Sequence, residues 1–303
     1  MPPPVVGLII NENKPEAVDA ARRLTHALAA ERGIGVRTAA STAEKILAPD
    51  CRAAGEAIAA ADFVVVLGGD GTLLAAARAL APCGTPILGV HLGRFGFIAE
   101  ARPDHLLEAV LTVLGGDAVI EERALLAPLV RRAAAEATAT LPPGMNDVVV
   151  KSGATRLLHI RTAVGPPGGT GNGDADEVAT YAADGVIVAA PTGSTSYSLS
   201  AGGPLVHPRA PVLLITPICP HTLNARSLVV PDTETVYLRV TSQDPERDTA
   251  LVTVDGQIEV ALRPGDAVEV RRAPFSARLL TVGGPNFYQK LRARWRYGER
   301  LQG

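Results

Sequence analysis

The sequence contains few of the features that mark disulfide-bonded, zinc-binding or membrane proteins. Among its 303 residues there are only three cysteines, Cys51, Cys83 and Cys219, and no two of them form a Cys-x-x-Cys pair. This spacing indicates neither a disulfide framework nor a zinc site, so we expect reduced thiols. No apolar run reaches the roughly 18 residues of a membrane span, and the start, Met1-Pro2-Pro3-Pro4, lacks the basic flank of a signal peptide. We therefore expect a cytoplasmic protein without a membrane partner.

The sequence also lacks an excess of charge of either sign. Its formal net charge is -2, with 47% hydrophobic and 20% charged residues. Proteins that bind nucleic acid usually carry a basic excess, so a nucleic-acid partner is not expected either. The length and composition are those of a globular chain with two domains. Any anionic substrate must therefore be met by local groups.

The most informative motif is the glycine-rich turn Gly68-Gly69-Asp70-Gly71-Thr72, which separates an apolar run from a helix-forming stretch. Glycines allow backbone N–H groups to approach an anion, and the start of the following helix carries partial positive charge. Asp70 supplies a carboxylate that can accept a proton or meet a metal ion. The turn matches neither a P-loop nor the dinucleotide fingerprint, and a plain tight turn is the alternative interpretation. Its chemistry favours phosphoryl transfer.

The N-terminal third of the chain alternates strands and helices, which predicts an α/β domain over residues 1–115 with a parallel sheet covered by helices. The predicted elements are a strand at Val5–Ile10, a helix at Pro15–Ala30, a strand at Gly35–Thr38, a helix at Ala53–Ala60, a strand at Phe63–Leu67, a helix ending at Leu80, a strand at Pro86–Val90 and a helix at Pro103–Leu114. In such sheets ligands bind beyond the carboxyl ends of the strands, which is where Asp70 falls.

Residues 116–285 are expected to form a β-rich domain, because short alternating strands such as Thr235–Val240 and Asp266–Val270 replace the helical pattern. Asp255-Gly256 predicts a hairpin turn that could also face a ligand. The Gly- and Pro-rich segment Val164–Glu177 is predicted to be a mobile surface loop.

The C-terminal tail, 286–303, is basic and aromatic, which would also suit an anion contact. Its apolar residues Phe287, Leu291 and Trp295 recur at helical spacing. We therefore expect a helix that docks on the α/β domain with its arginines in solvent.

Two segments of the β-rich domain carry polar groups suited to a ligand. Asn146-Asp147 can hydrogen-bond vicinal hydroxyls or the edge of a base, although an Asx turn would explain the pair as well. The second segment, Asp184–Pro204, runs from an apolar strand into seven hydroxyl side chains within the nine residues Thr192 to Ser200. A helix cap would use only one or two hydroxyls, so this density predicts a polar ligand cleft.

Together these motifs resemble the NAD kinases, which phosphorylate the 2′-hydroxyl of the adenosine ribose of NAD. The resemblance also includes Leu92-Gly93-Arg94-Phe95-Gly96-Phe97 and Thr216–His221, and it extends from about Val5 to Gly284. The glycine-Asp turn alone is shared with lipid kinases and, in a close variant, with phosphofructokinases. The long Asp184–Pro204 block is specific to the NAD kinases.

The resemblance implies a role for each matched position. Asp70 would be the catalytic base, and Gly68, Gly69, Gly71 and Thr72 would form the phosphate-donor loop. The implied NAD contacts are Gly71, Asn146, Asp147, Arg156, Asp184, Thr195, Ser196, Tyr197, Ser198, Leu199, Ser200 and Gln257. The sequence departs from the family pattern at Asp147, where Glu is usual, at His91, where Asn is frequent, and in the expanded Val164–Glu177 loop.

The implied reaction uses NAD, a divalent cation (Mg²⁺ or Mn²⁺) and either ATP or polyphosphate as the donor. No metal ligand from the protein is predicted. The resemblance further implies a homodimer or homotetramer in which a neighbouring subunit completes at least one NAD site. Two alternatives remain: a lipid or sugar kinase that shares the glycine-Asp turn, and a non-catalytic NAD-binding regulator.

Overall fold

A computed structural model describes residues 3–93, 98–99, 101–134, 137–153, 157–169, 171, 173–222, 224–241, 249–283 and 286–295. The chain divides into two compact units, one formed by Met1–Glu122 with Ala277–Gly303 and the other by Arg123–Ser276. The chain passes from one unit to the other within two long strands, Val119–Arg131 and Ala267–Thr281.

The first unit is an α/β structure, which confirms the predicted fold class for this part of the chain. Its strands and helices are β1 (Val5–Ile10), α1 (Pro15–Arg32), β2 (Gly35–Thr38), α2 (Ala40–Lys45), α3 (Gly55–Ala59), β3 (Phe63–Gly68), α4 (Asp70–Leu80), β4 (Ile87–His91) and α5 (Leu106–Leu114). The strands lie in the order β2-β1-β3-β4, and all three neighbouring pairs are parallel. β3 is buried along its whole length, because helices cover both faces of a parallel sheet.

Sequence and structure differ in detail at three helices of this unit. The short helix α2 has no counterpart among the predicted elements, since six residues are too few to show a periodic pattern. The helix expected at Ala53–Ala60 shortens to α3. The helix expected to start at Pro103 begins with a 3₁₀ turn, Pro103–His105, before α5, and such turns are common at helix ends.

The second unit is rich in antiparallel β-structure, as expected. Its elements are β5 (Val119–Arg131), β6 (Thr138–Thr140), β7 (Asp147–Ser152), β8 (Leu158–Gly165), β9 (Asp176–Ala183), β10 (Gly185–Ala189), α6 (Tyr197–Ser200), β11 (Val212–Ile218), β12 (Leu228–Pro231), β13 (Thr235–Thr241), β14 (Ala250–Val254), β15 (Ile258–Leu262) and β16 (Ala267–Thr281). Six of these strands form a sheet in the order β12-β11-β10-β7-β14-β15. Apolar side chains of this sheet pack against those of β8, β13 and β16 in one core.

The Asp255-Gly256 turn is the hairpin turn that the sequence predicts. It joins β14 to β15, with Val254 paired to Ile258 across the turn. Asp255 and Gly256 have φ angles of 50° and 64°, both in the left-handed region, and together with Gln257 they lie between the two paired residues. The tail forms a final helix, α7 (Phe287–Trp295), whose Leu291 is buried.

Candidate active site

The candidate catalytic region of the first unit is the turn between β3 and α4. β3 ends at Gly68, and Gly69 precedes the helix in an extended conformation. The carbonyl of Gly69 accepts hydrogen bonds from the backbone N–H groups of Thr72 (3.0 Å) and Leu73 (3.2 Å), so the helix starts at once. A Cβ at Gly68 would collide with the Thr72 side chain, which explains why glycine is needed there. Asp70 is thereby fixed as the first residue of α4.

The carboxyl group of Asp70 is half-buried and only partly engaged by the protein. Its Oδ1 atom is inaccessible to solvent and has no hydrogen-bond partner among the residues that the structure describes. Buried polar atoms in folded proteins nearly always have a partner, because leaving one unpaired is unfavourable. An unpaired carboxylate oxygen at the start of a helix therefore marks a position prepared for a ligand group, a proton donor or a metal ion.

A separate candidate region, in the second unit, lies at one end of the six-stranded sheet, where β7 begins with Asp147. Asn146 and Asp147 are 9% and 5% exposed. The carboxylate of Asp255 holds both of them through the backbone: its Oδ1 accepts the N–H of Asn146 at 2.8 Å and that of Asp147 at 3.2 Å, and its Oδ2 accepts the N–H of Met145 at 3.0 Å. Three consecutive N–H groups thus converge on one carboxylate. The β14–β15 turn therefore fixes the Asn146-Asp147 pair.

Burial also changes the acidity of Asp147. The pKa of its carboxyl group is raised to about 7, first because the group is withdrawn from water and second because the negative charge of Asp255 lies nearby. Near neutral pH this group is therefore present in both protonation states. A ligand that needs the carboxylate would bind it in a pH-dependent way.

The Pro191–Thr195 segment packs directly on the Asn146 backbone. It is a 3₁₀ helix that follows β10, and the N–H of Ala190 donates to the Asn146 carbonyl at 2.9 Å. Any Cβ at Gly193 would overlap the Asn146 carbonyl, so only glycine fits.

The same segment also contacts a buried arginine of β5: Arg123 places Nη1 at 3.5 Å from the Thr192 hydroxyl. Arg123 is not among the residues predicted from the sequence, because an isolated arginine in a strand gives no sequence pattern.

The hydroxyl-rich segment serves two purposes. Ser194 and Ser198 are fully buried and bonded within the protein: Ser194 exchanges hydrogen bonds with the Val206 backbone at 3.1 Å, and Ser198 bonds the Thr216 hydroxyl at 2.9 Å. These two hydroxyls build the turn. The residues that remain at the surface are Thr195, Ser196 and Leu199, which are half-buried, and Tyr197 and Ser200, which are exposed. The expected NAD contact Ser198 thus faces the interior.

Asp184 lies at the other end of β10 from the Asn146-Asp147 pair. Asp147 pairs with Ala189, the last residue of β10, whereas Asp184 is exposed just before its first residue. At about 3.4 Å per residue the two acidic residues are on the order of 15 Å apart along the strand. Tyr197 is near both, since its pKa is raised by burial and then by the charges of Cys219, Asp147 and Asp184. The polar surface is therefore elongated along β10.

Gln257 lies at the same end of the sheet as Asp147. It is exposed immediately after the Asp255-Gly256 turn, and its N–H donates to the Val254 carbonyl at 3.0 Å. β14 pairs with β7 so that Val254 lies opposite Val148, next to Asp147. The structure therefore brings together Asn146, Asp147 and Gln257. Arg156 and the Arg94–Phe97 segment lie outside the described residues.

Within the described part of the chain, no group of three or more His, Cys, Asp or Glu side chains is arranged to hold a metal ion. None of the described helices has the length and apolar character needed to cross a membrane.

Comparison with known proteins gives matches along most of the chain. Residues 6–118 match the ATP-NAD kinase N-terminal domain and residues 170–282 the ATP-NAD kinase C-terminal domain. The NAD kinase of Heliobacterium modesticaldum is 41% identical over 300 residues, which cover 97% of this chain and 99% of that protein. The NAD kinase of Symbiobacterium thermophilum is 42% identical over 95% of this chain and 98% of its own length.

Two solved structures share the fold at low sequence identity. Yeast NADH kinase in complex with NADH has a TM-score of 0.87 at 23% identity, covering 100% of this chain and 90% of that one. The NAD kinase of Archaeoglobus fulgidus in complex with ATP has a TM-score of 0.71 at 22% identity, covering 95% of this chain and 99% of that one. At these identities the likeness supports the fold.

Proposed function

This chain belongs to the NAD kinase family of phosphotransferases, and from that premise we propose that it transfers the terminal phosphoryl group of ATP or polyphosphate to the 2′-hydroxyl of the adenosine ribose of NAD. The observation that carries the proposal is the unpaired, buried Oδ1 of Asp70 on the glycine turn. A carboxylate oxygen in this position can accept the proton of a hydroxyl group that attacks a phosphate.

Asp70 would act mainly by positioning. Phosphoryl transfer passes through a loose transition state, so alignment of the hydroxyl with the transferred group matters more than a strong base. Asp70 would orient the ribose hydroxyl and accept its proton late in the transfer. The N–H groups of the phosphate-donor loop, Gly68, Gly69, Gly71 and Thr72, would face the negative charge of the phosphates.

The NAD contacts proposed in the second unit combine the buried Asn146-Asp147 pair with more exposed polar side chains. Asn146, Asp147 and Gln257 would hydrogen-bond the adenosine part of NAD, because their amide and carboxyl groups match vicinal hydroxyls and base edges. Thr195, Ser196, Tyr197, Leu199 and Ser200 would extend this surface. Ser198 would support it from inside through its bond to Thr216. Arg156 remains a prediction from the resemblance alone.

The divalent cation is proposed to enter as part of the donor, as the Mg²⁺ or Mn²⁺ complex of ATP or polyphosphate. The free oxygen of Asp70 fits such a cation, and the described residues offer no larger ligand set. When bound, the cation offsets negative charge on the transferred group. ATP and polyphosphate present the same terminal phosphoryl group, so the proposed site suits either donor.

We further propose a homodimer or homotetramer in which a neighbouring subunit completes an NAD site. The separation of Asp184 from Asn146-Asp147 along β10 supports this, since Asp184 could serve the site of another subunit. Light scattering at micromolar concentration should give a dimer or tetramer, and activity per subunit should fall on dilution. A fully active monomer would refute the shared site.

The direct test of the proposed reaction uses the purified protein with NAD, Mg²⁺ and either ATP or polyphosphate, and detects NADP with an NADP-specific dehydrogenase. We expect NADP with at least one donor. If NAD binds but no donor yields NADP, the protein is a regulator rather than a kinase.

A further inference from the structure

The carboxyl edge of the parallel sheet carries two nitrogen-containing side chains beside the Asp70 turn that the reaction described above does not use. Lys14 stands between β1 and α1, and His91 is the last residue of β4. β3, which leads into the Asp70 turn, lies between β1 and β4 in the sheet. All of these residues belong to the first unit.

Lys14 reaches across the end of β3. Its Nζ donates to the Leu92 carbonyl at 3.4 Å, although Lys14 follows β1 and Leu92 follows β4. These strands are two positions apart, a distance of about 10 Å, so the side chain must pass the carboxyl end of β3. The backbone N–H of Leu92 in turn donates to the Gly68 carbonyl at 3.2 Å. The ammonium group is thereby held next to the first glycine of the turn.

The charge of Lys14 is not neutralised by the acidic residue next to it. Glu12 binds Lys45 at 2.9 Å and the hydroxyls of Ser41 and Thr42 at 2.7 Å, and these contacts lower its pKa to about 2. Lys14 itself contacts a neutral carbonyl, which uses one of its three N–H donors. Among the described residues, no carboxylate forms an ion pair with it. The ammonium group can therefore bind an anion.

His91 faces the same side of the sheet as the start of α4. Side chains alternate along a strand, and a Cβ at Gly89, two residues earlier, would touch Leu73 of α4. In the parallel register His91 lies opposite Gly68. Its Nδ1 atom is inaccessible to solvent and, like Oδ1 of Asp70, has no hydrogen-bond partner within the described structure. Asp70, just after β3, and His91, at the end of the adjacent β4, thus each carry a buried polar atom that has no partner among the described residues.

We propose that Lys14 and His91 bind the terminal phosphates of the donor at this edge, with Lys14 supplying charge and His91 a hydrogen bond. The inference rests on the proposed function and assigns the donor's polyphosphate end to the first unit. A protein of net charge -2 must provide local cations for a polyanionic donor.

Steady-state kinetics of Lys14→Met test the role of the ammonium group. We expect the KM for the donor to rise at least ~10-fold, the usual effect of losing a charge-assisted hydrogen bond, while the KM for NAD stays within about twofold. Lys14→Arg should recover part of the loss because it keeps the charge. Arg52→Met is the matched control, since Arg52 is a cation of the same unit whose partner is Glu44, at 2.9 Å. A donor KM unchanged in Lys14→Met would overturn the assignment.

A pair of variants tests His91. His91→Asn keeps a nitrogen close to the Nδ1 position, whereas His91→Phe keeps a ring without one. We expect His91→Phe to raise the donor KM roughly 3- to 10-fold and His91→Asn to stay near wild type. If His91→Phe retains the wild-type donor KM, His91 has no part in the site.

Calorimetric binding of MgATP and of magnesium tripolyphosphate to the full chain separates this inference from the proposed reaction. Lys14→Met should weaken both ligands, because they share only the phosphate chain. That result would support the inference even if the wild-type protein formed no NADP. Wild-type affinity of Lys14→Met for both ligands would overturn the inference even if NADP formation were normal. Loss of MgATP binding alone would also overturn it, since the contact would then be with the nucleoside.

Discussion

Asp70 and Asp147 each stand at one end of a buried strand, yet their carboxyl groups are held in opposite ways. Asp70 lies on a turn made of glycines, and one of its oxygens has no partner within the described structure. Asp147 is 5% exposed on a turn whose backbone N–H groups are bound by Asp255, and its pKa is raised to about 7. On the proposed function, we expect the first turn to serve the chemistry and the second to serve NAD binding.

Asp70→Asn should produce the largest effect on activity. A small effect would contradict the different roles proposed for Asp70 and Asp147. The substitution keeps size and hydrogen bonding but removes the proton acceptor. We expect kcat to fall by roughly 10² to 10⁴, the usual range for losing a general base, with little change in NAD affinity. Steady-state assays with both substrates varied would measure the two effects separately.

Asp255→Gly should produce the next largest effect. It should change the KM for NAD, whereas Asp70→Asn should change kcat. Glycine tolerates the φ of 50° at this position but removes the carboxylate that binds the backbone of residues 145–147. We expect the KM for NAD to rise on the order of 10-fold or more with a smaller change in kcat, because three charge-assisted hydrogen bonds are lost.

Asp255→Asn is the matched control. It keeps one acceptor oxygen and tolerates the same φ, so it should recover most of the NAD affinity. Equal loss in both variants would show that the charge, rather than the hydrogen bonds, is what matters at Asp255. A fall in kcat alone would contradict a binding role for this turn.

The difference between the Asp70 turn and the Asn146-Asp147 turn can be predicted only in part from the sequence. The Asp70 turn is local: a contiguous apolar run, glycines and a helix start lie within about 20 residues, and the structure has the strand and helix where the sequence predicts them. The bonds that fix Asn146-Asp147 come from Asp255, 108 to 110 residues away, and no local pattern reveals them.

The same limit applies to the hydroxyl-rich segment. The density of hydroxyls predicts a polar cleft, but composition does not show which groups the protein uses for itself. Ser198 bonds Thr216 in the interior, whereas Tyr197 is exposed only one residue earlier. Lys14 and Leu92 are 78 residues apart, so no local sequence pattern predicts the hydrogen bond between them.

The raised pKa of Asp147 predicts a pH dependence of NAD affinity. Asp147 is ionised above pH 7 and protonated below it, and the neighbouring titratable groups are Asp255 and Tyr197. If the carboxylate accepts hydrogen bonds from NAD, the KM for NAD should rise about tenfold from pH 8 to pH 6. Asp147→Asn should abolish this dependence. A pH-independent KM in the wild type would contradict the assigned contact.

The contribution of Asp147 to folding stability should depend on pH in the opposite sense to NAD affinity: it should be greater at low pH. The pKa of Asp147 in the folded protein lies above its value of 3.8 in the absence of these effects, so folding favours the protonated form. Its contribution to stability is therefore full at low pH and is lost as the pH rises from about 4 to about 7. Asp147→Asn should raise the Tm at pH 8 by about 2–4 °C and leave it unchanged near pH 4. Thermal unfolding at the two pH values measures the difference.

The loop predicted at Val164–Glu177 is shorter in the structure, because β8 extends to Gly165 and β9 begins at Asp176. The segment between these strands should have the smallest effect on either turn. Its described part contacts Tyr237, whose hydroxyl donates to the Pro166 carbonyl at 2.8 Å, and it contains no proposed site residue. Replacing Pro166 to Ala175, the residues between β8 and β9, with a short Gly-Ser turn should keep kcat and the KM for NAD within a few-fold. A folded variant that no longer binds NAD would show that the loop closes over the substrate.

The most direct test of the division between chemistry and binding is one measurement on two variants: single-turnover phosphoryl transfer to NAD, with the NAD concentration varied, for Asp70→Asn and Asp147→Asn at pH 8. We predict a slow maximal rate with near-normal NAD dependence for Asp70→Asn, and a near-normal maximal rate reached only at higher NAD concentration for Asp147→Asn. A normal maximal rate in Asp70→Asn, or a slow one in Asp147→Asn at saturating NAD, would contradict it.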